Sequence, residues 1–436
     1  MRYRRYCILC CNAIISALGV CCGSKTVIED GRNDRLDVED PRYAIVRENE
    51  NLRVEQLLQL YEKGILNDGT DEVSYNNLNI AFMTDSHIDL GPIPLESKRN
   101  VRDAISFCNM SKVPIYAIIH GGDLITDIKS TKKEHIKQLE TFFDLGWNAK
   151  MPLLFTKGNH DINAIRVNPS QVMSDKDWSD VWFDKAEKEY GIKRNINANG
   201  QKTGYYYYDL DEWKVRIISL DCFDVDYTQT DEEGNVLYWA GTSFYFANEQ
   251  LNWLVNSALN FDNKEEKDWG VILFTHFYYP YNVPDHTYGT TVEPVFDDIY
   301  RRMNSLLVAF NRQSSYSISY SFPQNSFYDL SVTGDWTRYA EQEQKPYLIC
   351  VLSGHQHTDL YTNYWGGIHI VTANQFCGTD YSDERILRLP GTRSQNLFDI
   401  LNIDLKKRKL RVIRYGASAN LDGQEGNRFL PDGHGF

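Results

Sequence analysis

Five apolar runs in this chain stop abruptly, and each stops on a polar donor set. LNIAFMT (78–84) runs into Asp85-Ser86-His87, and IYAIIH (115–120) into Gly121-Gly122-Asp123. PLLFTK (152–157) runs into Gly158-Asn159-His160-Asp161, VILFT (271–275) into His276, and YLICVLS (347–353) into Gly354-His355-Gln356-His357. Short apolar stretches bounded by glycine read as buried strands. His355 and His357 are one residue apart, so an extended backbone would put both rings on one side, able to grip a metal ion. In open α/β sheets, ligands sit just beyond the carboxyl ends of the strands. One rim would then receive aspartate, asparagine and histidine donors and no thiolate. That set suits Mn, Fe or Zn at a catalytic centre, not a structural zinc site made of cysteines.

Taken singly, each piece is ordinary. A Gly-Asp or Gly-Asn pair is a common turn, and a lone His276 is a satisfied core histidine. The order, with each donor set directly after a strand, is what chance does not supply. Gly122, Gly158 and Gly354 each precede a candidate ligand and let the chain turn sharply there.

The chain has 436 residues and 42% apolar content, enough for one large α/β domain with insertions. Its net charge of −14 argues against a general nucleic-acid binding surface and against electrostatic docking on anionic lipid. A small phosphate ester in a locally positive pocket remains compatible with it. Strands and helices alternate from about residue 77, as in an α/β fold. Helices are expected at 54–64, 248–259 and 293–310. In the last of these Phe296, Tyr300, Met303, Leu307 and Phe310 share a face. Final strands are expected at 397–404 and 409–415, joined by a charged turn. The Gly- and Asn-rich segment 416–436 reads as a tail in loop conformation.

The first 22 residues hold three arginines, then an apolar run from Cys7 to Val20, with no acidic residue before Glu29. That is the layout of a secretory leader, and the run is short for a membrane span. LGVC (18–21) resembles a bacterial lipobox, which makes Cys21 a candidate lipid anchor on an exported, periplasmic or outer-surface protein. Residues 23–76 read as a polar extension. Cys108, Cys222, Cys350 and Cys377 are far apart in apolar surroundings and read as buried free thiols.

The ordered set D-x-H, G-D, G-N-H-[DE], H and G-H-x-H resembles the calcineurin-like metallophosphoesterases, over roughly residues 77–415. The chain supplies DSH (85–87), GD (122–123), GNHD (158–161), His276 and GHQH (354–357). The resemblance implies two mixed β-sheets packed face to face and flanked by helices, an α/β four-layer sandwich. It implies one divalent ion on Asp85, His87 and His357, a second on Asn159, His276 and His355, and Asp123 bridging both. It places His160 against the substrate, with Asp161 supporting local geometry and Asp127 as a candidate to orient His160. Thr126 stands where purple acid phosphatases carry a metal-binding tyrosine, and the protein serine/threonine phosphatase pattern G-D-x-x-D-R-G is absent. NEQLNWL (248–254) resembles a helix of exported, phosphodiesterase-like members.

Two divalent ions against two carboxylates would leave a surplus of about two positive charges, which suits an anionic phosphate ester. Ions about 3.5–4 Å apart lower the pKa of a shared water, and the resulting hydroxide attacks phosphorus in line with the leaving oxygen. The expected activity is hydrolysis of a small phosphate ester, with a phosphodiester favoured and a phosphomonoester as the alternative. A non-catalytic binding protein that kept the fold would show a broken ligand set. A metallo-β-lactamase-type hydrolase needs an H-x-H-x-D-H run, which is absent. The aromatic-rich segments 223–245 and 277–345 are where a pocket wall or lid could lie.

Overall fold

The computed structural model describes residues 77–88, 94–126, 131–165, 169–278, 294–322, 326–364, 367–371, 395–417 and 426–435. The expected leader with Cys21, the helix expected at 54–64, Asp127 and Cys377 lie outside the described residues.

Two mixed sheets carry the architecture. The first is built from β1 (Leu78–Met83), β2 (Ala117–His120), β3 (Leu153–Phe155), β13 (Leu397–Asp404), β14 (Lys409–Gly416) and β15 (Gly426–Gly435), in the order β15-β14-β13-β1-β2-β3. The second contains β4 (Lys193–Ile196), β5 (Lys202–Leu210), β6 (Val215–Ser219), β7 (Gly270–Phe274), β10 (Tyr347–Ser353), β11 (Leu360–Tyr364) and β12 (Gly367–Val371). Its order is β11-β12-β10-β7-β6-β5-β4. A separate hairpin pairs β8 (Ser315–Tyr320) with β9 (Leu330–Asp335). β1, β2 and β3 run parallel, as do β6, β7, β10 and β12, so the strand ends that carry the donors point the same way within each sheet.

Strand periodicity divides the core. Along β6 and β7, Ile217, Ile272 and Phe274 join the first sheet's core, while Ile218, Val271 and Leu273 join a second core on the other face. Alternation of side chains across the pleat forces this division. Helices α1 (Pro94–Met110) and α2 (Lys132–Gly146) contribute Val101, Ile105, Leu139 and Phe142 to the first core. Thr131 caps α2 by accepting from Glu134 N. Two short helices follow β3, α3 (Asp175–Trp178) and α4 (Asp184–Tyr190). α5 (Asn248–Trp253) and α6 (Pro294–Asn311) cover the second sheet. On α6, Tyr300, Met303, Leu307 and Phe310 are buried, the stripe expected of a helical period.

The four-layer sandwich is therefore present. The C-terminal expectation is corrected: residues 426–435 form β15, antiparallel to β14, instead of a loop. Main-chain pairing to an open strand edge makes that strand. Its composition, rich in glycine and polar residues, gives no strand signal. Cys108, Cys222 and Cys350 are free and buried. Among the described residues no helix is long and apolar enough to cross a membrane.

Candidate metal centre

The loops after β1 and β2 continue to pair beyond the strands. Asp85 N donates to Gly122 O at 2.9 Å, and His87 N to Asp123 O at 3.1 Å. In the second sheet, Gly354 N donates to His276 O at 2.9 Å. The donors then curl back toward one point through left-handed backbone. Asp85, His87, Asp123, His355 and His357 have φ of 53°, 39°, 53°, 67° and 51°. Non-glycine residues seldom adopt this region, and such strain gathers at functional sites.

This corrects the extended reading of His355 and His357. Both lie past β10 in left-handed turns, and their rings enter different donor groups. Gly354 fits where no side chain would, since an added Cβ would run into Thr84 Oγ1 and Asp85 Oδ2.

One group contains Asp85, His87, Asp123 and His357; the other contains Asp123, His276 and His355. Within each, one donor atom per residue lies within 4.8 Å of all the others. In the first, His357 Nε2 is 3.2 Å from Asp85 Oδ1 and 3.3 Å from His87 Nε2. Asn159 joins the second, its Oδ1 lying 3.1 Å from His276 Nε2 and 2.9 Å from His355 Nδ1. Asp123 Oδ2 reaches both groups, 3.6 Å from His87 Nε2 and 3.3 Å from His276 Nε2.

The electrostatics fit cations. Burial opposes charge on Asp85, but the His357 hydrogen bond and the His276 and His357 fields outweigh it and hold the carboxyl below its usual range. Asp123 is also opposed by burial, and His276 and His160 hold it well below that range. Burial pushes His87 and His355 down to about 3, so both rings are neutral and keep a lone pair. Burial works against charge on His276 too, but Asp123 dominates and raises it to about 9, so a cation entering there displaces a proton. Carboxylate oxygens and imidazole lone pairs crowded together in a buried space form a donor set that could hold a metal ion.

His160 lies beside both groups. Its N–H donates to Asp123 Oδ1 at 3.0 Å, and its ring stands edge-on to His87 with centroids 4.9 Å apart. Its side chain is 28% exposed, against 2% for Asp123. Asp161 is fully buried. Its carboxylate accepts from Leu124 N at 2.9 Å, Ile125 N at 3.3 Å and Gly158 N at 2.8 Å. It therefore clamps the Asp123 loop to the Gly158–Asn159 turn and is a positioning residue. Burial and then the Asp123 charge push its pKa up to about 7.

Two histidines had no role from sequence. Gly122 N donates to His120 Nδ1 at 3.2 Å, which leaves Nε2–H to donate to Ser86 Oγ at 2.6 Å. His135 Nε2 donates to the Asp161 carbonyl at 2.6 Å. His120 directly precedes Gly121-Gly122, a signal that was readable; His135 lies on α2 with no local cue. The segment 223–245 also has a definite place. Phe244 packs against His355 and Phe277, and Phe223 against His276, so its buried aromatics wall the second donor group.

No curated protein matches the chain. Among solved structures, it is similar to a dimetal phosphatase from Danio rerio at 13% identity, covering 78% of this chain and 96% of that one, with a TM-score of 0.48. It is similar to an archaeal phosphodiesterase at 12% identity, covering 77% and 99%, with a TM-score of 0.29. A phosphopantetheinyl hydrolase from Mycobacterium tuberculosis gives 11% identity, covering 68% and 90%, with a TM-score of 0.32. The calcineurin-like phosphoesterase family model matches residues 78–359, the stretch that carries all the donor loops. With that match over this Asp/His/Asn centre, the chain belongs to the calcineurin-like phosphoesterases, metal-dependent hydrolases of phosphate esters.

Proposed function

We propose that the protein hydrolyses a phosphodiester using two divalent ions, of Mn, Fe or Zn type. Asp85, His87 and His357 would hold one ion, Asn159, His276 and His355 the other, and Asp123 both. The observation that carries this reading is the reach of Asp123 Oδ2 into both histidine groups. When bound, such ions lower the pKa of water and polarise phosphoryl oxygens.

The chain's own residues supply the rest. Asp85 and Asp123 leave a site with paired ions still positive, which draws an anionic ester into an acidic protein. His160 Nε2 stands 4.0 Å from Asp123 Oδ2, and its side chain is more exposed than those of His87 and His357. It would pass a proton to the leaving alkoxide. Asp161 and His120 are fully buried and hold the loops through hydrogen bonds. Support for the diester comes from NEQLNWL (248–254), which resembles a helix of exported, phosphodiesterase-like members, and from the leader-like layout of residues 1–22. That leader also supports an exported form anchored through Cys21.

A panel of matched mono- and diester substrates, with metal counted on the same preparation, tests the reading. The expected result is two ions per chain, chelator-sensitive turnover and higher kcat/KM on diesters. Higher kcat/KM on monoesters would overturn the diester preference, and one ion per chain the two-ion centre.

A further inference from the structure

We propose that Lys157 is a positioning residue of the metal centre, its ammonium on Asp221 tying the turn that carries Asn159 and His160 to the opposite sheet. This role rests on the two-ion reading, because Lys157 would set the distance from Asn159 to the histidines of the second group.

Lys157 lies two residues past β3 in the first sheet, and Asp221 two residues past β6 in the second. Lys157 is 6% exposed. Its Nζ is 2.5 Å from Asp221 Oδ2 and 3.7 Å from Asp175 Oδ1. The preceding residue makes a parallel tie, with Thr156 Oγ1 donating to Leu220 O at 2.7 Å. Consecutive residues of one sheet thus bond consecutive residues of the other.

The receiving end is itself fixed. Asp221 N donates to Gln250 Oε1 at 2.8 Å, Gln250 Nε2 donates to Asp221 O at 2.9 Å, and Phe223 N donates to Asp221 Oδ1 at 3.0 Å. β5 leaves a notch for the ammonium. A Cβ on Gly204 would lie 2.9 Å from Lys157 Nζ and 3.1 Å from its Cε.

A buried ion pair is a poor source of net stability, because desolvation offsets the attraction; its best-attested use is to fix register. Register matters here. Asn159 comes from the first sheet, while both imidazoles it meets, His276 at 3.1 Å and His355 at 2.9 Å, come from the second. A small slide of one sheet over the other would open that group. The first donor group has three of its four members on the first sheet and is less exposed to such a slide.

The test uses the full chain with Lys157→Met/Asp221→Asn, which removes both charges of the pair together, and Lys157→Arg, which keeps it. Ions per chain, the affinity of the weaker ion, kcat, KM and the melting temperature are measured. The double variant should fold and bind the weaker ion about 10–100-fold less tightly, the range for supporting groups around metal ligands. Its kcat should fall more than KM changes, and Lys157→Arg should recover both readouts. Parental affinity and kcat in the double variant would overturn the role, as would equal loss of both ions. Failure of both the double variant and Asp221→Asn to fold would also overturn it, making the pair a support of the whole fold. A parent holding one ion would sink the two-ion reading and this role together, whereas two ions in parent and variant alike would sink this role alone.

Discussion

His276, just past β7, donates from Nδ1 to the carbonyl of Gly121, just past β2 in the other sheet, at 2.8 Å. A carbonyl only accepts, so Nδ1 carries the proton, and in the neutral ring Nε2 keeps its lone pair. That nitrogen faces Asp123 Oδ2 and Asn159 Oδ1. One hydrogen bond therefore joins the sheets, selects the tautomer and aims a candidate ligand atom.

Asp123→Asn should lose metal and activity together. The amide keeps the shape of the side chain but removes the charge that both histidine groups share. Elemental analysis after dialysis should show ions per chain falling from two toward none. Full retention would contradict the bridging role.

His160→Ala should keep its metal. With an alkoxide leaving group, turnover should drop by about 10²–10⁴-fold, the usual worth of a placed proton donor. The drop should shrink for a nitrophenolate leaving group, which departs without help. An equal effect on both esters would remove His160 as the acid.

Asp161→Asn turns an acceptor of three backbone N–H groups into a side chain that must aim its NH₂ at one end of them. A buried N–H left unmet costs about 1–3 kcal/mol. Thermal unfolding of the metal-free variant should show that loss, and metal titration a weaker affinity. The Asp123 loop and the Gly158–Asn159 turn are no longer clamped together.

Asp224 gives the protein a pH-dependent weakness. Burial and then the Asp221 charge raise its pKa to about 7, while Gln250 Nε2 donates to it at 2.9 Å. The folded state therefore holds this proton more tightly than the unfolded chain, whose carboxyl titrates near the ordinary 3.8. Its contribution is intact below about pH 4 and is lost as pH rises through about 7. Asp224→Asn should flatten that slope, gaining melting temperature over the parent at pH 8 and little at pH 4. Parallel melting curves across the range would count against it.

The wall formed by Phe244 and Phe223 shows where sequence reading stops. Aromatic clusters at 223–245 are visible in the chain, but their contact with His355 and His276 comes from packing between distant segments. β15 is a similar case, a strand made by the edge it meets, with no pattern of its own.

What the sequence determined by itself was local: five strand ends, their glycines and the donor types placed just beyond them. Alternation along a strand and the steric demands of a sharp turn act over a few residues, so they leave a readable trace. The tertiary structure alone decided that three of those ends belong to one sheet and two to the other. It also decided that His355 and His357 sit in left-handed turns and that Lys157 reaches Asp221. Those relationships depend on pairing and packing across long sequence separations, which no local pattern encodes.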